Sequence, residues 1–240
     1  MKLLLLPGMD GTGLMFEPLL EVLPGWLQPK VVAYPAREPL GYAGLLPLVR
    51  DACPPAAEFV VLAESFSGPL ALMLAASEPP GLRGIILCAS FIRCPLRTPF
   101  RWIAAAARPI HFRLAPTWPA RWALFGRHQT DRLHRLFATA MATVSPAAMA
   151  ARARAVASVD AAAELRMCRV PLLYLAAQQD RVLAPSCLST IRREKPDIQV
   201  VVLPGPHLLL QTLPVEAAYE VGQFIQRILP ESDPACEHSG

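Results

Sequence analysis

The sequence predicts an α/β fold: about six mostly parallel strands flanked by helices, with an inserted helical subdomain. Three observations carry that prediction. Apolar runs recur at 2–8, 30–36, 58–65, 84–91, 171–180 and 198–205, continuous rather than alternating, as strands covered on both faces are. Helix-length segments separate most of them, around 15–24, 41–53, 68–78, 186–195 and 214–228, and strand alternating with helix implies parallel pairing through right-handed crossovers. Composition is 53% hydrophobic and only 18% charged over 240 residues, with mean hydropathy +0.35. That suits one large domain with a substantial core and argues against disorder.

The opening "MKLLLLPGMDG" has a lysine and a leucine run, like the start of a secretion signal. The run is too short and ends in a glycine-rich turn rather than a small-residue cleavage site, so it reads as the first strand. No stretch approaches the roughly 18–20 apolar residues that a membrane-crossing helix needs. The third run, "EFVVLAES", leads through a tight turn into "GPLALMLAAS". That helix has no polar stripe and is expected to lie buried against the sheet. Between the fourth and fifth runs lie about eighty residues without a strand signal, read as helices over "FRWIAAAARPIHFRL", "PARWALFGRH", "TDRLHRLFATAMA" and "SPAAMAARARAVASV". Ser145 followed by Pro146 is an N-cap with proline at the first helical position. A crossover of that length exceeds what packing requires. Residues 93–165 are therefore read as a helical cap, 1–92 and 166–230 as the core, and the polar 231–240 as a flexible tail.

Charge is uneven. Residues 93–164 hold 11 arginines and no lysine against Asp131, Asp160 and Glu164, or +8, whereas the whole chain is +4 and the remainder −4. Chain-wide preference for arginine over lysine has a ready explanation in nucleotide composition. These arginines are expected to face outward and to favour an anionic carrier or lipid headgroup at the cap. Basic and aromatic residues do not interleave on strands, which excludes the common nucleic-acid modules. The six cysteines (Cys53, Cys88, Cys94, Cys168, Cys187, Cys236) show no CxxC pair, and the five histidines form no metal spacing. No metal or cofactor is expected, and reduced thiols in the cytoplasm are.

The chemistry gathers at three loops. In Ala63-Glu64-Ser65-Phe66-Ser67-Gly68 a strand stops at a small residue, turns through x-Ser-x-small and enters a helix. So tight a turn requires small residues two positions either side of a nucleophile, which Ala63 and Ser67 provide for Ser65. For Ser67 the corresponding positions are Ser65 and Pro69, and proline fits poorly; Ser67 is read as steric. A base and an acid follow in the order that such elbows use. Asp180 ends the fifth run, and His207 sits in "PGPH" after the sixth. Asp197 lies at the start of the sixth run, on the wrong side of the sheet. An oxyanion hole needs two N–H groups, assigned to Phe66, after the nucleophile, and to Met9 in "PGMDGTG". The glycines of that loop (Gly8 and Gly11 flank Met9 and Asp10) allow the backbone to aim an amide inward. They match no GxGxxG frame, and no Walker lysine follows.

With "PGMDGTG", "AESFSG", Asp180 and His207 in this order, the chain resembles the α/β-hydrolase superfamily over all but its tail. It is most similar to small bacterial members and to the plant esterase/lipase/thioesterase group that includes phytyl ester synthases. It departs in having Pro7-Gly8 where many members have His-Gly, and Ala63 where glycine is common. The usual N-terminal hairpin is expected to be missing, which would put 30–36 at a sheet edge. The resemblance implies a serine hydrolase acting on a carboxylic ester through an acyl-enzyme, with Ser65, His207 and Asp180 as its triad. A thioesterase or acyltransferase using an acyl thioester is the alternative within enzymes, and a lactonase or C–C hydrolase remains open. Haloalkane dehalogenase and epoxide hydrolase chemistry is disfavoured, because both use aspartate where Ser65 stands. The non-enzymatic alternative is a ligand receptor on the same fold.

Overall fold

A computed structural model describes residues 1–229; the tail read at 231–240, with Cys236 and His238, lies outside the described residues. Six strands, β1 (Lys2–Leu6), β2 (Gln28–Val31), β3 (Phe59–Glu64), β4 (Leu82–Cys88), β5 (Leu172–Ala177) and β6 (Gln199–Leu203), form one sheet in the order β2-β1-β3-β4-β5-β6. Every neighbouring pair is parallel. The register aligns Leu6 with Ala63, Glu64 with Cys88 and Ala177 with Leu203, so the strands end at one common edge. Each loop that follows a strand therefore emerges on the same side, where ligands of open α/β sheets are bound.

Helices α1 (Glu17–Leu20), α2 (Tyr42–Ala52) and α3 (Gly68–Ala75) follow the first three strands. Between β4 and β5 come α4 (Thr98–Ala105), α5 (Pro109–Leu114), α6 (Trp118–Phe125), α7 (Asp131–Thr143), α8 (Pro146–Ser158) and α9 (Ala162–Met167). After β5 comes α10 (Ser186–Glu194), and after β6 come α11 (Leu209–Thr212) and α12 (Pro214–Ile228).

Alternation along each strand divides the core in two. Leu4, Leu6, Val61, Ala63, Ile85, Leu87, Leu172 and Tyr174 face α2, α3, α9 and α10. Leu3, Leu5, Val60, Leu62, Ile86, Cys88, Leu173 and Leu175 face α1, α11 and α12. Both sides of β1, β3, β4 and β5 are thus apolar, which is why their runs read as continuous. α3 is buried at seven of its eight residues, as a helix without a polar stripe must be.

The elements differ from the sequence reading in three places. The run at 30–36 pairs only over Gln28–Val31, at the sheet edge. The Val32 N–H still donates to Leu5 O at 3.0 Å; beyond it the chain leaves the ladder, and the Tyr34 N–H donates to Gly11 O at 2.7 Å instead. The single helix read over 100–114 is two, α4 and α5. Pro109 cannot supply the N–H that would continue a helix, and Arg108 before it is extended at φ −122°, ψ 156°. α9, for which 162–167 gave no separate signal, packs on α3 and α10 through Leu165.

Candidate active site

β3 delivers Ser65 to the sheet edge, and the next residues form a single 3-10 turn (Ser65–Ser67) that runs straight into α3. Ser65 stands at φ 47°, a left-handed conformation that costs a residue with a Cβ about 1–2 kcal/mol. Its surroundings enforce that conformation. The Ser90 hydroxyl, after β4, donates to Ser65 O at 2.6 Å, and Tyr42 Oη donates to Phe66 O at 2.9 Å. The Ser90 backbone is pinned in turn: Tyr174 Oη accepts from its N–H at 3.1 Å and donates to its carbonyl at 2.7 Å. A Cβ on Gly68 would collide with the Ser90 side chain, so glycine there is what lets the β4 loop brace the turn.

His207 is carried by the loop after β6, and Asp180 by the loop after β5. His207 Nδ1 lies 2.8 Å from Asp180 Oδ2, and its Nε2 lies 2.8 Å from Ser65 Oγ. Asp180 Oδ1 accepts from the N–H groups of Val182 and Leu183 at 2.8 and 2.9 Å. Burial pushes the Asp180 carboxyl up, but His207 and these two amides outweigh it and hold it below the usual carboxylate value. A carboxylate only accepts, so Nδ1 carries the proton, and Nε2 of the neutral ring is left to accept from Ser65 Oγ–H. Leu124 O, at the end of α6, accepts from the Leu208 N–H at 3.2 Å, and Phe125 packs on Leu208 and Met15. The inserted helices therefore press on the loop that holds the imidazole.

The loop after β1 closes the site from the other side. Gly11 N–H donates to Gly8 O at 3.0 Å, making a turn around Met9 and Asp10. Positive φ falls on Gly11 (70°) and Gly13 (75°), not on Gly8. Asp10 Oδ2 accepts from the Thr12 N–H at 2.8 Å and from its hydroxyl at 2.5 Å. Among the described residues no acceptor takes the Met9 N–H. Ser67 does more than fit the turn. Its buried hydroxyl donates to Pro7 O and accepts from Tyr34 Oη at 2.6 Å, tying the elbow to this loop.

Two residues given no part in the site by the sequence reading shape it. Arg152 of α8 is fully buried, an exception to the expectation that the insertion's arginines face outward. Its guanidinium donates to Met9 O at 3.0 Å, Asp10 O at 2.6 Å and Pro35 O at 3.0 Å, and lies 5.7 Å from the centre of the Tyr34 ring. Burial lowers its pKa from the usual arginine value. The signal was present: Arg152 shares a helix face with Ala148, Met149 and Val156, at spacings of three and four, in an alanine-rich helix. Glu64, immediately before Ser65, is also buried. Burial, with Asp10 nearby, pushes its carboxyl up to about 7 against the opposing influence of Gln211, His207 and the Gly8 amide. Gln211 lies alongside, yet neither its amide atoms nor Glu64 Oε1 reach hydrogen-bonding geometry. No group of three metal-ligating side chains occurs among the described residues, nor is any helix long and apolar enough to cross a membrane.

The chain has the α/β-hydrolase fold. A hydrolase from Oleispira antarctica superposes with a TM-score of 0.82 over 94% of this chain and 90% of that one, at 14% identity. A bromoperoxidase from Bacillus anthracis gives 0.80 over 94% and 91%, at 14% identity. A thermophilic esterase from Thermogutta terrifontis gives 0.78 over 95% and 90%, at 19% identity. No family model and no curated protein sequence matches the chain.

Proposed function

We propose that this chain is a serine hydrolase of the carboxylesterase type, cleaving an ester through an acyl-enzyme. The observation that carries the reading is the unbroken hydrogen-bond chain from Ser65 Oγ through His207 to Asp180, set behind a positive-φ turn at the sheet edge. Ser65 Oγ attacks the acyl carbonyl while its proton passes to His207 Nε2. Asp180 keeps the ring oriented and stabilises the imidazolium. The N–H groups of Met9 and Phe66 donate to the developing oxyanion, and the free Met9 amide fits that role. His207 then protonates the leaving alcohol, and water attacks the acyl-enzyme with His207 as base. No step calls for a metal or cofactor. That a hydrolase and an esterase share the fold adds support. Residues 93–165 act as the cap of this site.

A fluorophosphonate should label Ser65 and no other serine, and labelling should abolish hydrolysis of p-nitrophenyl acyl esters. Absence of labelling would leave the fold as a binding module. Acyl thioesters run in parallel decide between an esterase and a thioesterase, since either makes the same acyl-enzyme.

A further inference from the structure

The strongest feature unused by that chemistry is the outer surface of α4, α5 and α6. Neither α4 nor α5 has a single buried residue. Both pack across α8, so their remaining sides have no partner. Those sides carry large apolar groups: Phe100, Trp102 (70% exposed), Ile103, Ile110 and Leu114 (73%). The pattern continues on α6 with Trp118 (66%) and Trp122. Three of the chain's four tryptophans stand here. Arginine is interleaved with them, with Arg97, Arg101, Arg108 and Arg113 all exposed. None of the four is ion-paired among the described residues. Between Glu78 and Asp131 the chain carries no acidic residue.

We propose that α4–α6 are a docking surface for an anionic lipid bilayer, on which the protein lies peripherally. Short amphipathic helices with tryptophan and leucine on one side and arginine among them sit at the headgroup–acyl boundary. There the indole rings occupy the headgroup level, and arginine stems reach along apolar surface to phosphate. Charge complementarity alone would serve an acidic protein equally well. Bulky, scattered tryptophan and aliphatic groups on three short helices favour the bilayer, because lipid closes around an uneven apolar surface whereas a folded partner must match its shape. A recess of about 400 Å³ between α4 and α8 has Arg101, Trp102 and Arg154 among its lining residues. It suits a phosphate headgroup held beside an indole. The exposed side chains of this surface include none of the triad or oxyanion-loop residues, so the proposal stands apart from the acyl-transfer reading.

The test uses the full chain, both active and as Ser65→Ala, with vesicles of phosphatidylcholine alone or with about one third phosphatidylglycerol. Both proteins should sediment with the anionic vesicles and not with the neutral ones, with a blue shift of tryptophan emission that survives Trp26→Phe. Binding should weaken at least about tenfold from low to high salt. Arg101→Gln, Arg108→Gln and Arg113→Gln should each lower the partition constant about fivefold. Trp102→Ser with Trp118→Ser should remove most of the blue shift, leaving only what Trp122 contributes. These variants should keep the parent's thermal midpoint and its rate on a short p-nitrophenyl ester, which shows that they are folded. Equal binding to both vesicle types, or anionic binding that survives loss of the three arginines, would overturn the proposal. So would capture of an acidic acyl carrier protein through these arginines without vesicle binding. A solution dimer that Trp102→Ser with Trp118→Ser converts to monomer would assign the surface to a second copy instead.

Discussion

Arg152→Met removes a buried cation whose three hydrogen bonds all end on backbone carbonyls next to the site. Bonds from a charged donor contribute about 1.5–3 kcal/mol each, or roughly 5–9 kcal/mol gross for three. Desolvating the guanidinium offsets several kcal/mol of that, leaving a net loss of about 2–4 kcal/mol. Methionine fills similar volume, so little of the loss should come from a cavity. The catalytic effect is separate from stability. Met9 O and Asp10 O are held by this guanidinium, and the peptide units they belong to set the course of the Gly8–Gly11 turn. Once released, the Met9 N–H should no longer be fixed toward the substrate oxygen. The ceiling on that effect is loss of one oxyanion donor, about 10²–10³-fold in kcat. Stability is read by urea denaturation, and kcat and KM on p-nitrophenyl esters well below the denaturation midpoint. The expected pattern is a lower kcat with little change in KM, partly restored by added guanidinium when Arg152 is replaced by alanine. A variant as stable as the parent and within twofold of its kcat would refute the reasoning, because three partly buried carbonyls would then have lost their donor without consequence.

Ser65→Ala, His207→Ala and Asp180→Asn should each lower kcat by about 10⁴–10⁶-fold, and double substitutions should be little worse than the worse single one; additive losses would argue against a shared proton path. Ser67→Ala should lower stability by about 1–3 kcal/mol, since Pro7 O loses a donor and Tyr34 Oη an acceptor in a buried site, while an unchanged urea midpoint would show that Ser67 is only small. Glu64 is held protonated by burial, with its pKa raised from 4.5 to about 7. The native state therefore keeps a proton that the unfolded chain releases, and this contribution is complete below about pH 4.5 and lost as pH rises through 7. The loss is on the order of 3 kcal/mol, so the parent should weaken relative to Glu64→Gln over that range; parallel pH profiles of the two would contradict it.

Much of this arrangement is legible in the chain because it is local. A strand buried on both faces must be apolar throughout, so β1, β3, β4 and β5 stand out as runs. A strand that turns at once into a helix leaves Ala63, Ser65 and Ser67 in one short segment, readable from the size of neighbouring side chains. Asp180 and His207 each follow a strand within a few residues, and in a parallel sheet every such position falls on the same edge. Sequence order thus implied their proximity without any knowledge of the strand order.

What the tertiary structure alone decided is every contact whose partners are far apart along the chain and whose chemistry is generic. Arg152 meets Met9, Asp10 and Pro35 only because α8 packs over the loops after β1 and β2; a carbonyl acceptor has no residue identity to read. The Ser90 hydroxyl reaches Ser65 O only where Gly68 leaves room, and Tyr174 secures Ser90 from a strand 84 residues away. The break between α4 and α5 was visible as Pro109, but the unpartnered outer side of those helices was not. Periodicity says which residues of a helix share a side. Whether another element covers that side depends on packing of the whole chain.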